Sequence, residues 1–204
     1  MSVQNVNTNP IIIGLTGGIA SGKSTASGYF IELKIPVIDS DLIVKKLWES
    51  NHEMMNKVET YFGFKIKNYE DRKKLSHLIF QDMEKREALN KIVHPYVYEA
   101  IEEIKKRYQN NKIIVIDMPL LIEVGYQKLC DYVVVVYVNQ ETQIERLMER
   151  DQIDRTEALT RIRSQLLLEE KIKHADYILD NNDSKGNLYE QINVFLRGIK
   201  NEKQ

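Results

Sequence analysis

The chain is poor in cysteine, glycine, proline and tryptophan, and it carries no charge surplus. One cysteine, Cys130, among 204 residues excludes an internal disulfide and a multi-cysteine metal site, and it fits a reducing compartment. Twenty-nine Lys and Arg against 30 Asp and Glu leave a net charge of −1. A general nucleic-acid coat would carry a large basic excess, so that class is set aside. A small phosphorylated ligand held by a local basic site is not excluded. The longest apolar run, residues 132–138, is far below the roughly 20 residues a membrane span needs. Residues 1–9 are polar and hold no Lys or Arg, unlike a signal or transit peptide. These absences together predict a cytoplasmic chain with a frayed N-terminal arm, without membrane or nucleic-acid partners.

What is present reads as a soluble globular protein. Charged residues make up 29% and apolar residues 43%, a balance that disordered chains do not show. The length corresponds to one domain, or one domain with insertions. Such a chain buries roughly 70% of its unfolded surface, enough for a core without disulfides or metal. Four runs rich in Ile and Val, at 11–16, 37–39, 113–117 and 132–138, lack alternation. Strands covered on both faces of a parallel sheet look like this. A weaker fifth run follows at 177–179. Helical patterns lie between them, at 23–33, 42–48, 71–108, 140–149, 155–174 and 188–199. The alternation predicts an α/β fold with a mostly parallel five-stranded sheet and helices on both faces. The stretch between the second and third strands exceeds one crossover and predicts an inserted helical subdomain, about residues 50–110.

The nine glycines are unevenly placed. Gly14, Gly17, Gly18, Gly22 and Gly28 crowd one short stretch. Within it, Gly17-Gly18-Ile19-Ala20-Ser21-Gly22-Lys23-Ser24-Thr25 matches G-x-x-x-x-G-K-[ST], entered by an apolar strand and left by a helical pattern. Backbone N–H groups of such a loop converge on phosphate oxygens, with the positive end of the helix behind them. Lys23 would reach the β- and γ-phosphates of a nucleoside triphosphate, and the Ser24 hydroxyl would hold Mg²⁺. Gly14 inside the strand predicts a close backbone approach. Gly28 predicts tight packing of the helix on the sheet.

Other residues extend the site. The second strand ends in Asp39-Ser40-Asp41. Two residues apart on an extended strand share a face, so both carboxylates could reach one crevice at the strand's carboxyl end. A carboxylate there could accept a proton from an attacking hydroxyl. The alternative is helix capping by Ser40 or Asp41. Asp117, closing the third strand, is the usual partner of such a loop for Mg²⁺; the alternative is a turn ahead of Pro119. Five of nine arginines lie at 146, 150, 155, 161 and 163. They either neutralise a γ-phosphate from a mobile segment or pair with Glu145, Glu149 and Glu157 on a solvated helix. His94-Pro95 predicts a helix break or start.

Several strings resemble the dephospho-CoA kinase family. They are Gly14 through Thr25, Val37-Ile38-Asp39-Ser40-Asp41, His94-Pro95, Asp117-Met118-Pro119-Leu120-Leu121-Ile122-Glu123, Gln143-Ile144-Glu145-Arg146 with Arg150-Asp151, Gln165, and Ala175 through Asn181. The resemblance runs from about Ile11 to Phe195. It implies a P-loop NTPase three-layer fold and a kinase that moves the γ-phosphate of ATP to the 3′-hydroxyl of dephospho-CoA. It implies Asp41 as general base, and Lys23 with Arg146 or Arg150 at the transferring group. The loop from Gly17 to Thr25 would bind ATP, with Asn181 at the adenine. Thr16, Asp41, His94, Pro119, Leu120, Leu121 and Glu123 would face the substrate, and Ser24 and Asp117 the metal. A helical lid would span about residues 150–165, in a single kinase domain, expected to be a monomer.

Two residues depart from the family pattern. Ala20 stands where glycine is usual, and alanine is comfortable there only at negative φ, so a small effect on the loop is expected. Lys45 stands where arginine is usual and would replace a bidentate fork with a point charge. The rivals are another small-molecule kinase, such as a nucleoside monophosphate kinase, and a GTP-dependent switch protein. The latter needs Asn-Lys-x-Asp, and neither Asn56-Lys57-Val58-Glu59 nor Asn90-Lys91-Ile92-Val93 ends in Asp.

Overall fold

The structure, a computed structural model, describes residues 9–201; the N-terminal arm expected to fray lies outside them, apart from Asn9. Five β-branched runs form one sheet: β1 (Ile11–Gly17), β2 (Val37–Asp39), β3 (Ile113–Asp117), β4 (Tyr132–Tyr137) and β5 (Tyr177–Asp180). Their order is β2-β3-β1-β4-β5. β1 pairs in parallel with β3 and β4, and β4 with β5. Every residue of β1 and β3 is buried, which is why those runs show no polar alternation. Nine helices are described: α1 (Lys23–Glu32), α2 (Ser40–Ser50), α3 (His52–Phe62), α4 (Tyr69–Gln81), α5 (Met83–Arg107), α6 (Gln140–Asp151), α7 (Arg155–Arg163), α8 (Leu168–Lys171) and α9 (Lys185–Asn201). The α/β architecture therefore follows the sequence pattern. Among the described residues no helix is long and apolar enough to cross a membrane.

Two compact units divide the chain. The first holds the sheet, α1 and α6–α9. Its core joins Ile13 and Leu15 of β1, Val115 of β3 and Val134 and Val136 of β4 to Phe30 of α1 and Leu188 and Ile192 of α9. A separate small cluster joins Ile144 and Leu147 of α6 to Ala158 and Ile162 of α7. The second unit, Asp39–Arg107, holds α2–α5. Here α5 packs against α2, α3 and α4. Its buried stripe, Leu89, Val93, Val97 and Ile101, repeats every fourth residue, the spacing of one helix face.

Three helical readings change. The stretch 71–108 is not continuous, because Asp82 is extended and its carboxylate accepts from Lys85 N–H at 3.1 Å, starting α5 anew. The stretch 155–174 is interrupted between α7 and α8. Pro95 neither breaks nor starts a helix; it lies inside α5. A proline there costs about 3 kcal/mol. Val93 and Val97, buried on either side of it, belong to the stripe that holds the helix together across that cost.

Candidate active site

Side-chain caps are the habit of this chain. Asp39, Asn51, Asn68, Asn139 and Asp154 each accept from N–H groups in the first turn of α2, α3, α4, α6 and α7. α1 is different. It opens on Gly22 at φ 91, with no side-chain cap and no acidic residue in its first turn. Among the described residues its first N–H groups have no side-chain acceptor, and its first turn carries no carboxylate. That is the start of a helix suited to an anion. The positive φ at Gly22 is a conformation other residues resist.

Gly17, Gly18, Ile19, Ala20, Ser21 and Gly22 carry the chain from β1 to α1, whose first turn holds Lys23, Ser24 and Thr25. Ser21 N–H donates to Gly18 O at 3.1 Å and folds the loop on itself. Ser24 is exposed. Lys23 pairs with the Asp117 carboxylate, which also accepts from the Ser27 hydroxyl. The register explains this meeting: Leu15 of β1 lies opposite Asp117 of β3, so both strands end at one edge. Ala20 sits at φ 59, so the negative φ expected for it is overturned. Gly14 does mark a close approach, since a Cβ there would lie 2.8 Å from Cys130 Sγ and Leu121 Cδ2. Gly28 does not, since a Cβ there would meet nothing within 4 Å.

The turn after β3 is bound from several sides. Pro119 O accepts from Thr16 Oγ1 at 2.9 Å and from Lys171 Nζ at 2.6 Å. Glu123 pairs with Lys171 Nζ at 2.9 Å and accepts from Leu166 N–H at 3.2 Å. The Lys171 side chain has no exposed surface. Burial pushes its pKa down, and the hydrogen bond to Glu123 opposes that. Thr16 and Leu121, expected from the resemblance to face the substrate, are fully buried. Leu120 is exposed. Asn181, expected at the adenine, donates its amide to Ser21 O at 2.8 Å.

The arginines separate by partner. Arg150 pairs with Asp151, Arg155 with Glu141, and Arg161 with both Asp151 and Glu157. Of the pairings expected with Glu145, Glu149 and Glu157, the described ion pairs hold that with Glu157. Arg146 donates to Asn181 O at 3.0 Å, a neutral carbonyl beside the loop's own support.

In the second unit, β2 has ended before Asp41, which lies in the first turn of α2. The shared-face reading of Asp39 and Asp41 therefore fails, because the backbone turns helical at Ser40. Capping is done by Asp39, not Ser40 or Asp41: its Oδ1 accepts from Asp41 N–H at 2.8 Å and Leu42 N–H at 3.0 Å. Asp41 itself is exposed. His94 is half-buried, its ring stacked toward Tyr98 with centroids 6.0 Å apart, and burial lowers its pKa. A groove of about 320 Å³ is lined by Lys45, Trp48, Arg72, Leu75, Ile79 and Leu89. It combines two cations with an apolar floor.

Ser27, Gln143 and Lys171 had no assigned role in the sequence. Their partners lie far away along the chain: Gln143 donates to Ile19 O across 124 residues and Lys171 to Pro119 O across 52. No local pattern marks such contacts.

Comparison with known proteins shows the family. The family model described as dephospho-CoA kinase matches residues 11–187. A dephospho-CoA kinase of Lactobacillus johnsonii is 42% identical over 192 residues, covering 92% of this chain and 97% of that one. Among solved structures, TT1252 from Thermus thermophilus is 31% identical with a TM-score of 0.81, covering 94% of this chain and 98% of that one. A dephospho-CoA kinase from Campylobacter jejuni is 30% identical with a TM-score of 0.67, covering 95% and 98%. A family match over most of the chain, joined to a P-loop opening an uncapped α1, makes this chain a member of the dephospho-CoA kinase family.

Proposed function

We infer that the chain transfers the γ-phosphoryl group of ATP to the ribose 3′-hydroxyl of dephospho-CoA, giving coenzyme A and ADP, the last step of coenzyme A synthesis. The observation that carries this reading is the uncapped start of α1, with Lys23 at its first position, in a chain of this family. Lys23 leaves Asp117 for the β- and γ-phosphates when nucleotide arrives, since a phosphate offers more charge than one carboxylate. Arg146 is the stronger candidate for the transferring group, because its partner is a carbonyl. Arg150 would first have to release Asp151. Residues 150–165, which include α7, act as a lid over the phosphates.

Phosphoryl transfer has a loose transition state, so positioning and charge do most of the work. Asp41 accepts the proton of the attacking 3′-hydroxyl. The Lys45–Trp48–Arg72 groove suits the acceptor, its cations the diphosphate and its apolar floor the pantetheine arm. His94 and Leu120 are further substrate contacts, while Pro119 and Glu123 hold the turn that follows Asp117. The Ser24 hydroxyl and the Asp117 carboxylate fit Mg²⁺. Both are hard oxygen donors, and among the described residues no cluster of three His, Cys, Asp or Glu forms an all-protein metal cage. Magnesium normally binds through one or two such groups plus substrate phosphates. When bound it neutralises charge on the β- and γ-oxygens.

The test is turnover of a panel of acceptors. Purified protein with ATP and Mg²⁺ is expected to phosphorylate dephospho-CoA and to leave AMP and shikimate untouched. Turnover of another acceptor without dephospho-CoA would overturn the assignment.

A further inference from the structure

Three side-chain amides touch the phosphate loop from outside. Ile19 is held at both ends of its backbone: its N–H donates to Gln165 Oε1 at 3.2 Å, and its carbonyl accepts from Gln143 Nε2 at 2.7 Å. Asn181 Nδ2 donates to Ser21 O at 2.8 Å. The three come from α6, from the segment between α7 and α8, and from the end of β5. Gln143 and Asn181 are buried. The backbone partners fix which amide atom faces the loop, because a carbonyl needs a donor and an N–H needs an acceptor.

The glycines match this brace. A Cβ on Gly18 would lie 2.6 Å from Gln143 Nε2 and 3.0 Å from Leu168 Cγ, and a Cβ on Gly22 would collide with Asn181 Nδ2. Gly18 and Gly22 therefore make room for the amides behind the loop as well as for phosphate in front of it. Between residues 17 and 22, ahead of the first turn of α1, the one backbone hydrogen bond among the described residues is Ser21 N–H to Gly18 O. One such bond does not hold a glycine-rich segment in one shape.

We propose that Gln143, Gln165 and Asn181 are positioning residues that preset the phosphate loop before nucleotide binds. They touch no reacting atom. Their effect is that the ordering of the loop is done during folding, so the donors already point correctly when ATP arrives. Gln165 lies in the segment that follows α7, so the loop's shape depends on that segment being in place. This rests on the reading that the loop holds ATP phosphates; if that reading failed, the unmodified protein itself would not bind ATP.

The test uses paired substitutions at the two glutamines, with opposite expectations. Position 143 must donate. Gln143→Met removes the donor, and Gln143→Glu sets a carboxylate against the Ile19 carbonyl. Both are expected to raise KM for ATP and lower kcat by about tenfold, with Glu the worse. Position 165 must accept. Gln165→Met is expected to match Gln143→Met, while Gln165→Glu keeps the acceptor and recovers most of kcat at saturating ATP. Amide hydrogen exchange of the loop peptide in the nucleotide-free protein supplies a second readout. Exchange is expected to quicken in both Met variants and in Gln143→Glu, and to stay near wild type in Gln165→Glu. If Gln143→Glu fails to fold, the two Met variants and Gln165→Glu still decide the matter. Loss of activity that tracks melting temperature alone, with native exchange of the loop, would overturn the proposal. So would equal damage from Met and Glu at position 165.

Discussion

Two helices follow two strands of the same sheet, α1 after β1 and α2 after β2, and they start in opposite ways. α1 starts at a left-handed glycine with neither a side-chain cap nor an acid in its first turn. α2 starts at Asp39, whose carboxylate takes two first-turn N–H groups, and Asp41 follows it within that turn. One helix end is left for an anion. The other is occupied by the chain's own carboxylate and carries a second one beside it. A phosphate is attracted to the first and repelled by the second, while a hydroxyl that must lose a proton is suited to the second. The difference lies in what each helix end omits or supplies, not in the strands that lead to them.

The largest blow to this contrast is Lys23→Ala. It leaves the α1 backbone donors in place and removes the ammonium charge of the first helical position. Turnover is expected to fall by about 10²–10³-fold, with weaker ATP binding, as read by ADP release and by nucleotide titration. Loss of less than about tenfold would mean that the backbone donors alone carry the site. Next is Asp41→Asn, which removes the carboxylate from the α2 end without touching the cap. Because the transition state is loose, the expected loss lies near the low end for a general base, about 10²-fold in kcat. ATP affinity and melting temperature are expected to stay close to wild type, since Asp41 is exposed. A variant with normal turnover would return Asp41 to a surface role.

Asp39 gives a smaller effect of another kind. Asp39→Ala removes the acceptor for Asp41 N–H and Leu42 N–H and is expected to cost about 1 kcal/mol. That corresponds to about 2–4 °C in melting temperature for a chain of this size. Asp39→Asn keeps the acceptor and is expected to melt near wild type. If both variants melted alike, the charge at the helix end, and not the hydrogen bonds, would be what stabilises α2.

The same two helix starts show how much the sequence reveals. The α1 end is legible because its parts are contiguous: Gly17 to Ser24 carry the strand exit, the loop and the first turn in one string. The buried β1 and β3 runs are legible for a similar reason, since burial on both faces leaves them almost wholly apolar, with Thr16 and Asp117 the polar residues near their ends. The α2 end is half legible. The carboxylates stand out, but the switch from extended to helical backbone falls at Ser40, one residue before the position that strand spacing would need. That gives the cap to Asp39, where the sequence offered Ser40 or Asp41. Pro95 misleads because local propensity is outweighed by burial on the α5 stripe. The brace on Ile19 and the Lys171 tie are not legible, because each joins a residue to a backbone atom far along the chain, and a backbone atom has no sequence signature.

The smallest expected effect sits inside the loop itself. Ala20 holds φ 59, a left-handed angle that costs a residue with a Cβ roughly 1–2 kcal/mol. Its methyl packs with Ile19 on the cluster of Ile144, Leu147, Ala158 and Ile162 that joins α6 to α7. Burying one methyl group returns about 0.8 kcal/mol, and alanine restricts the unfolded chain relative to glycine by a further 0.4–1 kcal/mol, roughly. The two sides nearly cancel. Ala20→Gly is therefore expected to change stability by less than about 1 kcal/mol, under about 4 °C in melting temperature. A rise well beyond that in a thermal melt would show that the methyl contact does not offset the strained angle. A fall beyond it would show that the contact between the loop and the α6–α7 cluster outweighs that strain, so that this chain keeps alanine for the packing it provides.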